Sequence, residues 1–188
     1  RSKYCHHFAG NKWENMSVQE KSKPALPRRK RLQTILVKPA GPDCNMACDY
    51  CFYLEKADMF GKPSVHRMPE NVLEEMIRQG MRQAGREVNF TWQGGEPLLM
   101  GLAFYQKAIE FQRRYGSGQT VGNGLQTNGL LINDDWVQFL HSTNWLVGLS
   151  LDGPQHVHDR YRRTSGGKST WQTVVSSAGK LLGAGVAV

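Results

Sequence analysis

Cys44, Cys48 and Cys51 stand in a C-x3-C-x2-C spacing, followed at once by Phe52 and Tyr53. Thiolates are ligands for soft metals and for iron–sulfur clusters. A structural zinc takes four protein ligands, and so do the common electron-transfer clusters. Three thiolates fall one short. A cubane held at three corners keeps one iron open to a small molecule, so the spacing points to a cluster that does chemistry on a bound cofactor. On the cysteines alone three other readings stay open: buried thiols, half of a disulfide scheme, or a zinc site completed by Cys5, His6 or His7. Disulfides fit worst, because the 188-residue chain has four cysteines and no secretory leader is read in it.

The elements that must position these cysteines follow from periodicity. From Leu32 onward short apolar runs alternate with amphipathic stretches. Strands are expected over residues 34–37, 88–92, 121–126 and 146–151, with a further fragment at 186–188. Helical faces are expected from Val72, Leu73, Met76 and Ile77 after Pro69, and from Phe104, Tyr105, Ala108, Ile109 and Tyr115. Trp136, Val137 and Leu140 follow a cap at Asn133, and Trp171, Val174, Val175, Ala178, Leu181 and Leu182 form the last stripe. Such alternation implies an α/β fold with parallel strands and right-handed crossovers.

Functional groups of such folds gather where strands end at their C-terminal side. The cysteines follow the first strand, Gln93-Gly94-Gly95-Glu96-Pro97 the second, Gln126-Thr127-Asn128-Gly129 the third, and Ser150, Asp152 and Gly153 the fourth. All four polar clusters thus fall on one edge of the expected sheet. Taken singly each is weak. Gly94-Gly95 brings bare backbone near a ligand or simply turns the chain, and Glu96 is able to accept from an ammonium group. Asn128-Gly129 is a good turn in its own right. Ser150 and Asp152 suit ribose hydroxyls or a local cap. Arg162 suits a carboxylate or solvent, and His156 and His158 in a loop are usually neither ligands nor catalysts.

Composition bounds the partners. Hydrophobic residues make up 39% of the chain, and no apolar run reaches membrane-spanning length. The net charge of +8 belongs to a tail: residues 1–31 carry nine Lys or Arg against two Asp or Glu. Residues 1–31 are therefore expected to be a basic, unstructured extension and 32–188 the folded domain. The run Arg28-Arg29-Lys30-Arg31 is able to bind phosphates, but such runs are more often solvated.

These motifs resemble the radical S-adenosylmethionine enzymes, and within them the anaerobic sulfatase-maturating enzymes. The likeness is carried by Cys44-Asn-Met-Ala-Cys48-Asp-Tyr-Cys51-Phe-Tyr53, Thr91-Trp-Gln-Gly-Gly-Glu-Pro97, Leu125-Gln-Thr-Asn-Gly129 and Val147-Gly-Leu-Ser-Leu-Asp-Gly-Pro154, with His158-Asp159-Arg-Tyr161-Arg162. It implies a partial (β/α)6 barrel, a [4Fe-4S] cluster held by Cys44, Cys48 and Cys51, and S-adenosyl-L-methionine bound at the open iron. It implies cofactor contacts from Tyr50, Gly94, Gly95, Glu96, Ser150 and Arg162, and a target side chain near Tyr53 and Gln93. The implied reaction is reductive cleavage of S-adenosyl-L-methionine to a 5′-deoxyadenosyl radical, which oxidises a Cys or Ser of a sulfatase polypeptide to formylglycine. A flavodoxin or ferredoxin as electron donor and a reducing cytoplasm go with it.

The resemblance also sets expectations about extent. The barrel reaches about four β/α units and the opening of a fifth at Gly185-Val186-Ala187-Val188. The family's catalytic aspartate and cysteine-rich auxiliary domain lie beyond Val188, so residues 1–188 alone are expected to lack turnover. Two alternatives stand beside this one. Another peptide-modifying radical enzyme shares the cysteine motif. A zinc- or nucleic-acid-binding module, built on the triad, Cys5 and the basic tail, predicts a colourless protein with salt-sensitive RNA affinity.

Overall fold

A computed structural model describes residues 31–54, 59 and 65–188. The candidate residues of the tail, Cys5, His6, His7 and Arg28-Arg29-Lys30, lie outside the described residues. Four strands, β1 (Leu32–Val37), β2 (Ala84–Trp92), β3 (Thr120–Thr127) and β4 (Leu146–Leu149), form one sheet in sequence order, and every pair is parallel. Between them run α1 (Glu70–Gln83), α2 (Leu102–Tyr115) and α3 (Asp134–Ser142), followed by α4 (Gln155–Tyr161) and α5 (Trp171–Gly183). Neighbours in sequence are neighbours in the sheet, as in an opened barrel.

The strands have two unlike faces. Val88, Phe90 and Trp92 of β2 are buried together with Val37, Leu125 and Val147, and pack against the helices. Trp92 lies 5.5 Å from the Tyr105 ring and 6.3 Å from that of Trp145, and its Nε1 donates to Asn123 at 3.0 Å. The register puts Leu36, Thr91, Gly124 and Leu146 in one row on the opposite face. Leu36 is 54% exposed and Leu146 60% exposed there. A parallel sheet is normally covered on both sides. This one presents a polar, glycine-rich second face, as strands do toward a barrel interior.

Differences from the expected elements have local causes. β2 starts at Ala84 rather than Val88, because the chain passes from α1 into the strand without a loop. β4 ends at Leu149, one residue before Ser150, whose N–H donates to Thr127 O at 3.0 Å. Val72 and Leu182 are solvent-facing, so the core stripes of α1 and α5 narrow to Leu73, Ile77 and Met81, and to Val174 and Leu181. Asn133 caps α3 as expected, its Oδ1 accepting from Trp136 N–H at 3.0 Å. In the 186–188 fragment Ala187 makes an isolated parallel bridge to Leu146, and Val147 N–H donates to Ala187 O at 2.8 Å.

Candidate active site

The cysteine loop is braced from two directions. On one side it pairs with the end of α4 and the residues just after it: Ala47 N–H donates to Arg163 O at 2.9 Å and Asp49 N–H to Tyr161 O at 3.0 Å. On the other it rests on the glycine turn after β2. Gly95 N–H donates to Gly41 O at 2.8 Å, and Glu96 N–H to Asp43 O at 2.7 Å. A Cβ on Gly95 would lie 2.0 Å from Asp43 O, so only glycine permits this approach. Gly94 takes φ +128°, which also favours glycine. Asp43 itself accepts from His66 N and Nδ1 at 2.8 Å each and from Arg67 at 2.6 Å. Burial works to raise its pKa, but these donors outweigh it and hold the carboxyl below its ordinary value.

Glu96 is fully buried. Its Oε1 accepts from Leu98 N–H at 2.9 Å and from the Thr127 hydroxyl at 2.8 Å, and Oε2 accepts from Asn128 N–H at 2.8 Å. Burial raises its pKa, opposed by those same hydrogen bonds. Pro97 follows as the first residue of a short 3-10 turn, Pro97–Met100, and its carbonyl accepts from the Tyr105 hydroxyl at 2.8 Å. The aromatic core thereby anchors the glycine turn.

The thiols are free and half-buried to buried. Met46 N–H donates to Cys44 Sγ at 3.4 Å and Asn128 Nδ2 at 3.7 Å. Burial lifts the Cys44 thiol above its ordinary value, with Glu96 and Cys48 adding to the rise. Burial lifts Cys48 likewise, partly offset by the positive charge of Arg162. Thiols in this state release protons when they ligate metal. Among the described residues no three His, Cys, Asp or Glu side chains converge as ligands of a single ion do. Two N–H donors are already turned on the Cys44 sulfur, as they are on the sulfurs of an iron–sulfur cluster.

Beside the thiols, Arg162 is 8% exposed and reaches across 112 positions to donate from Nη1 to the Tyr50 hydroxyl at 2.5 Å. Tyr50 donates in turn to Asp152, whose Oδ1 lies 3.7 Å from Arg162 Nη1. Arg162 Nε is buried with no partner among the described residues. A buried guanidinium donor without an acceptor is costly, and a carboxylate-bearing ligand would satisfy it. Ser150 accepts from Gln126 Nε2 at 3.1 Å, at the ends of β4 and β3. Lys38 Nζ sits 5.1 Å from the Tyr53 ring centroid, and Gln93 N–H donates to Val37 O at 2.9 Å, so Tyr53 and Gln93 border the ends of β1 and β2.

Most of the expected site residues therefore meet at one edge. Sequence reasoning undervalued Asn128, taken as a turn residue, and left Asp152 between a ligand-binding role and a local cap. It also left His158 as a loop histidine. That residue is fully buried on α4, its Nδ1 accepting from Asp152 N–H at 3.3 Å and its Nε2 lying 3.0 Å from Thr170 Oγ1. Since Thr170 donates its own proton to Arg162 O at 2.8 Å, His158 donates from Nε2 and is neutral.

Comparison with known proteins agrees with this geometry. Residues 39–188 match the family model described as the Radical SAM superfamily. A serine-type anaerobic sulfatase-maturating enzyme of Bacteroides thetaiotaomicron is 44% identical over 153 residues, which are 81% of this chain and 37% of that protein. A cysteine-type anaerobic sulfatase-maturating enzyme of Clostridium perfringens is 40% identical over 146 residues, 77% of this chain and 40% of that one. A solved structure described as native anSMEcpe with bound AdoMet and Cp18Cys peptide superposes with a TM-score of 0.76 at 37% identity, covering 83% of this chain and 41% of that chain. The chain thus spans about two fifths of the length of these relatives. Its matched region, its parallel sheet and its cysteine loop make it a member of the radical SAM superfamily.

Proposed function

We propose that this chain forms the cofactor-binding part of a radical enzyme that matures sulfatases. Cys44, Cys48 and Cys51 would hold a [4Fe-4S] cluster, and the glycine turn and Arg162 would hold S-adenosyl-L-methionine. When bound, such a cluster would supply the electron that cleaves S-adenosyl-L-methionine reductively, the chemistry that starts the two-electron oxidation of a Cys or Ser side chain to formylglycine; the second electron leaves the side chain to an acceptor outside the described residues. The observation that carries the cofactor reading is the partnerless Arg162 Nε, buried beside the thiols. Likeness to sulfatase-maturating enzymes of both serine and cysteine type supports the substrate class.

The chain's own residues hold and orient. Arg162, fixed by Tyr50 and Asp152, pairs with the cofactor carboxylate. Gly94 and Gly95 let backbone approach the cofactor, Ser150 meets its sugar, and Tyr53 and Gln93 border the space for the target side chain. Glu96 contributes from beneath, its oxygens being engaged by the chain. A flavodoxin or ferredoxin delivers the electron, in a reducing cytoplasm. Among the described residues no helix is long and apolar enough to cross a membrane.

The test is anaerobic loading of the intact polypeptide with iron and sulfide, followed by a reductant, S-adenosyl-L-methionine and a sulfatase-derived peptide. The proposal expects 5′-deoxyadenosine together with a mass loss at the peptide Cys or Ser. Cluster binding without 5′-deoxyadenosine would overturn the activity, and cleavage without peptide modification would overturn the substrate class.

A further inference from the structure

Asn128 is built to do more than turn the chain. It is 6% exposed, and its Oδ1 accepts from Leu130 N–H at 3.0 Å, which fixes the amide so that Nδ2 faces the cysteine loop. That nitrogen has two protons and two acceptors: Asn45 Oδ1 at 2.7 Å and Cys44 Sγ at 3.7 Å. The backbone behind it is clamped to the buried Glu96 carboxylate, and Glu96 N–H is bonded to Asp43 O, one residue before Cys44. The turns after β2 and β3 thus close a ring of hydrogen bonds around one thiol.

We propose that Asn128 is a positioning residue that holds the Cys44 sulfur and, by its N–H···S hydrogen bond, raises the reduction potential of the cluster, with Glu96 as its anchor. The inference rests on the reading of Cys44, Cys48 and Cys51 as cluster ligands. An N–H dipole turned on a thiolate stabilises negative charge, and the reduced cluster carries one more negative charge than the oxidised one. The bond therefore favours reduction. The turn alone does not require an amide: the bond from Leu130 needs only an acceptor, which aspartate would supply equally well. What aspartate lacks is the donor end.

The experiment compares wild type, Asn128→Asp and Asn128→Ala in the intact polypeptide. It reads the midpoint of the cluster whose paramagnetic signal shifts on adding S-adenosyl-L-methionine, and the Tm of the iron-free protein. Loss of one hydrogen bond predicts a reduction equilibrium about three- to tenfold less favourable in both variants, a drop of about 30 to 60 mV for one electron. Asn128→Asp should fall at least as far as Asn128→Ala, and the iron-free form of each variant should still unfold in one cooperative transition, at a Tm lowered by the lost Asn45 bond. Loss of the cluster in both variants with that cooperative iron-free transition kept would also support the role. An unchanged midpoint, or cluster loss only where that iron-free transition is lost as well, would overturn it. A wild-type protein that takes up no such cluster would instead sink the cofactor reading itself.

Discussion

At Gly95 there is no room for a methyl group, and the obstruction is backbone: the position a Cβ would take is 2.0 Å from Asp43 O, 2.5 Å from Asp43 C and 2.6 Å from Pro42 C. Flexible side chains move aside cheaply, but a loop held by Gly95 N–H and Glu96 N–H does not. Gly95→Ala is expected to cost about 2 kcal/mol or more and to lower iron uptake, since the displaced segment leads into Cys44. Urea unfolding with iron analysis checks both, and an unchanged denaturation midpoint would contradict the packing. The sequence showed that this double glycine would bring backbone close to something, but not that the neighbour is the cysteine loop. The same limit applies to Arg162. Its type announces a carboxylate partner, while its partnerless Nε and its bond to Tyr50 depend on a contact across 112 positions. Side chains that act through distant contacts, such as Asn128 on Cys44, leave no local pattern to read.

The strands were legible because alternation of apolar and polar residues survives wherever one face meets helices. Val88, Phe90 and Trp92 are buried while Asn89 between them is exposed. α4 was not legible. It has seven residues between Pro154 and Arg162, no side-chain cap, and one buried residue, His158. Its burial makes α4 a pH-sensitive element. Desolvation lowers the His158 pKa below the ordinary 6.5, the Arg162 charge lowers it further, and Asp152 and Asp159 oppose both. The folded state therefore holds the ring neutral while the unfolded chain takes up a proton below about pH 6.5. Its stability contribution is complete above that pH and is lost as pH falls toward the folded-state pKa. Tm measured across pH 5 to 8 should fall on the acid side with a slope that His158→Gln reduces. An equally steep slope in that variant would show that another group is responsible. Protonation would also turn Nδ1 from acceptor to donor against Asp152 N–H, loosening the support of Arg162.

As a whole the described domain is an opened barrel with a packed outside and an unpacked inside. The helices cover one face of the sheet, while Leu36 and Leu146 stand exposed on the other and Ala187 makes an isolated bridge to the edge at β4. The order of elements and the grouping of polar clusters at one edge were readable from sequence, because βα repetition fixes handedness and direction at once. The open inner face left a weaker signal, since its row of Leu36, Thr91, Gly124 and Leu146 mixes apolar, polar and glycine positions. The central claim is that Cys44, Cys48 and Cys51 hold a cluster at the mouth of this half-barrel. Iron and acid-labile sulfide counted in the anaerobically loaded intact polypeptide, beside a variant with all three cysteines changed to alanine, tests it most directly. The account predicts a difference of about four irons and four sulfides per chain. An equal count in the two proteins, or one bound zinc in place of the iron, would contradict it.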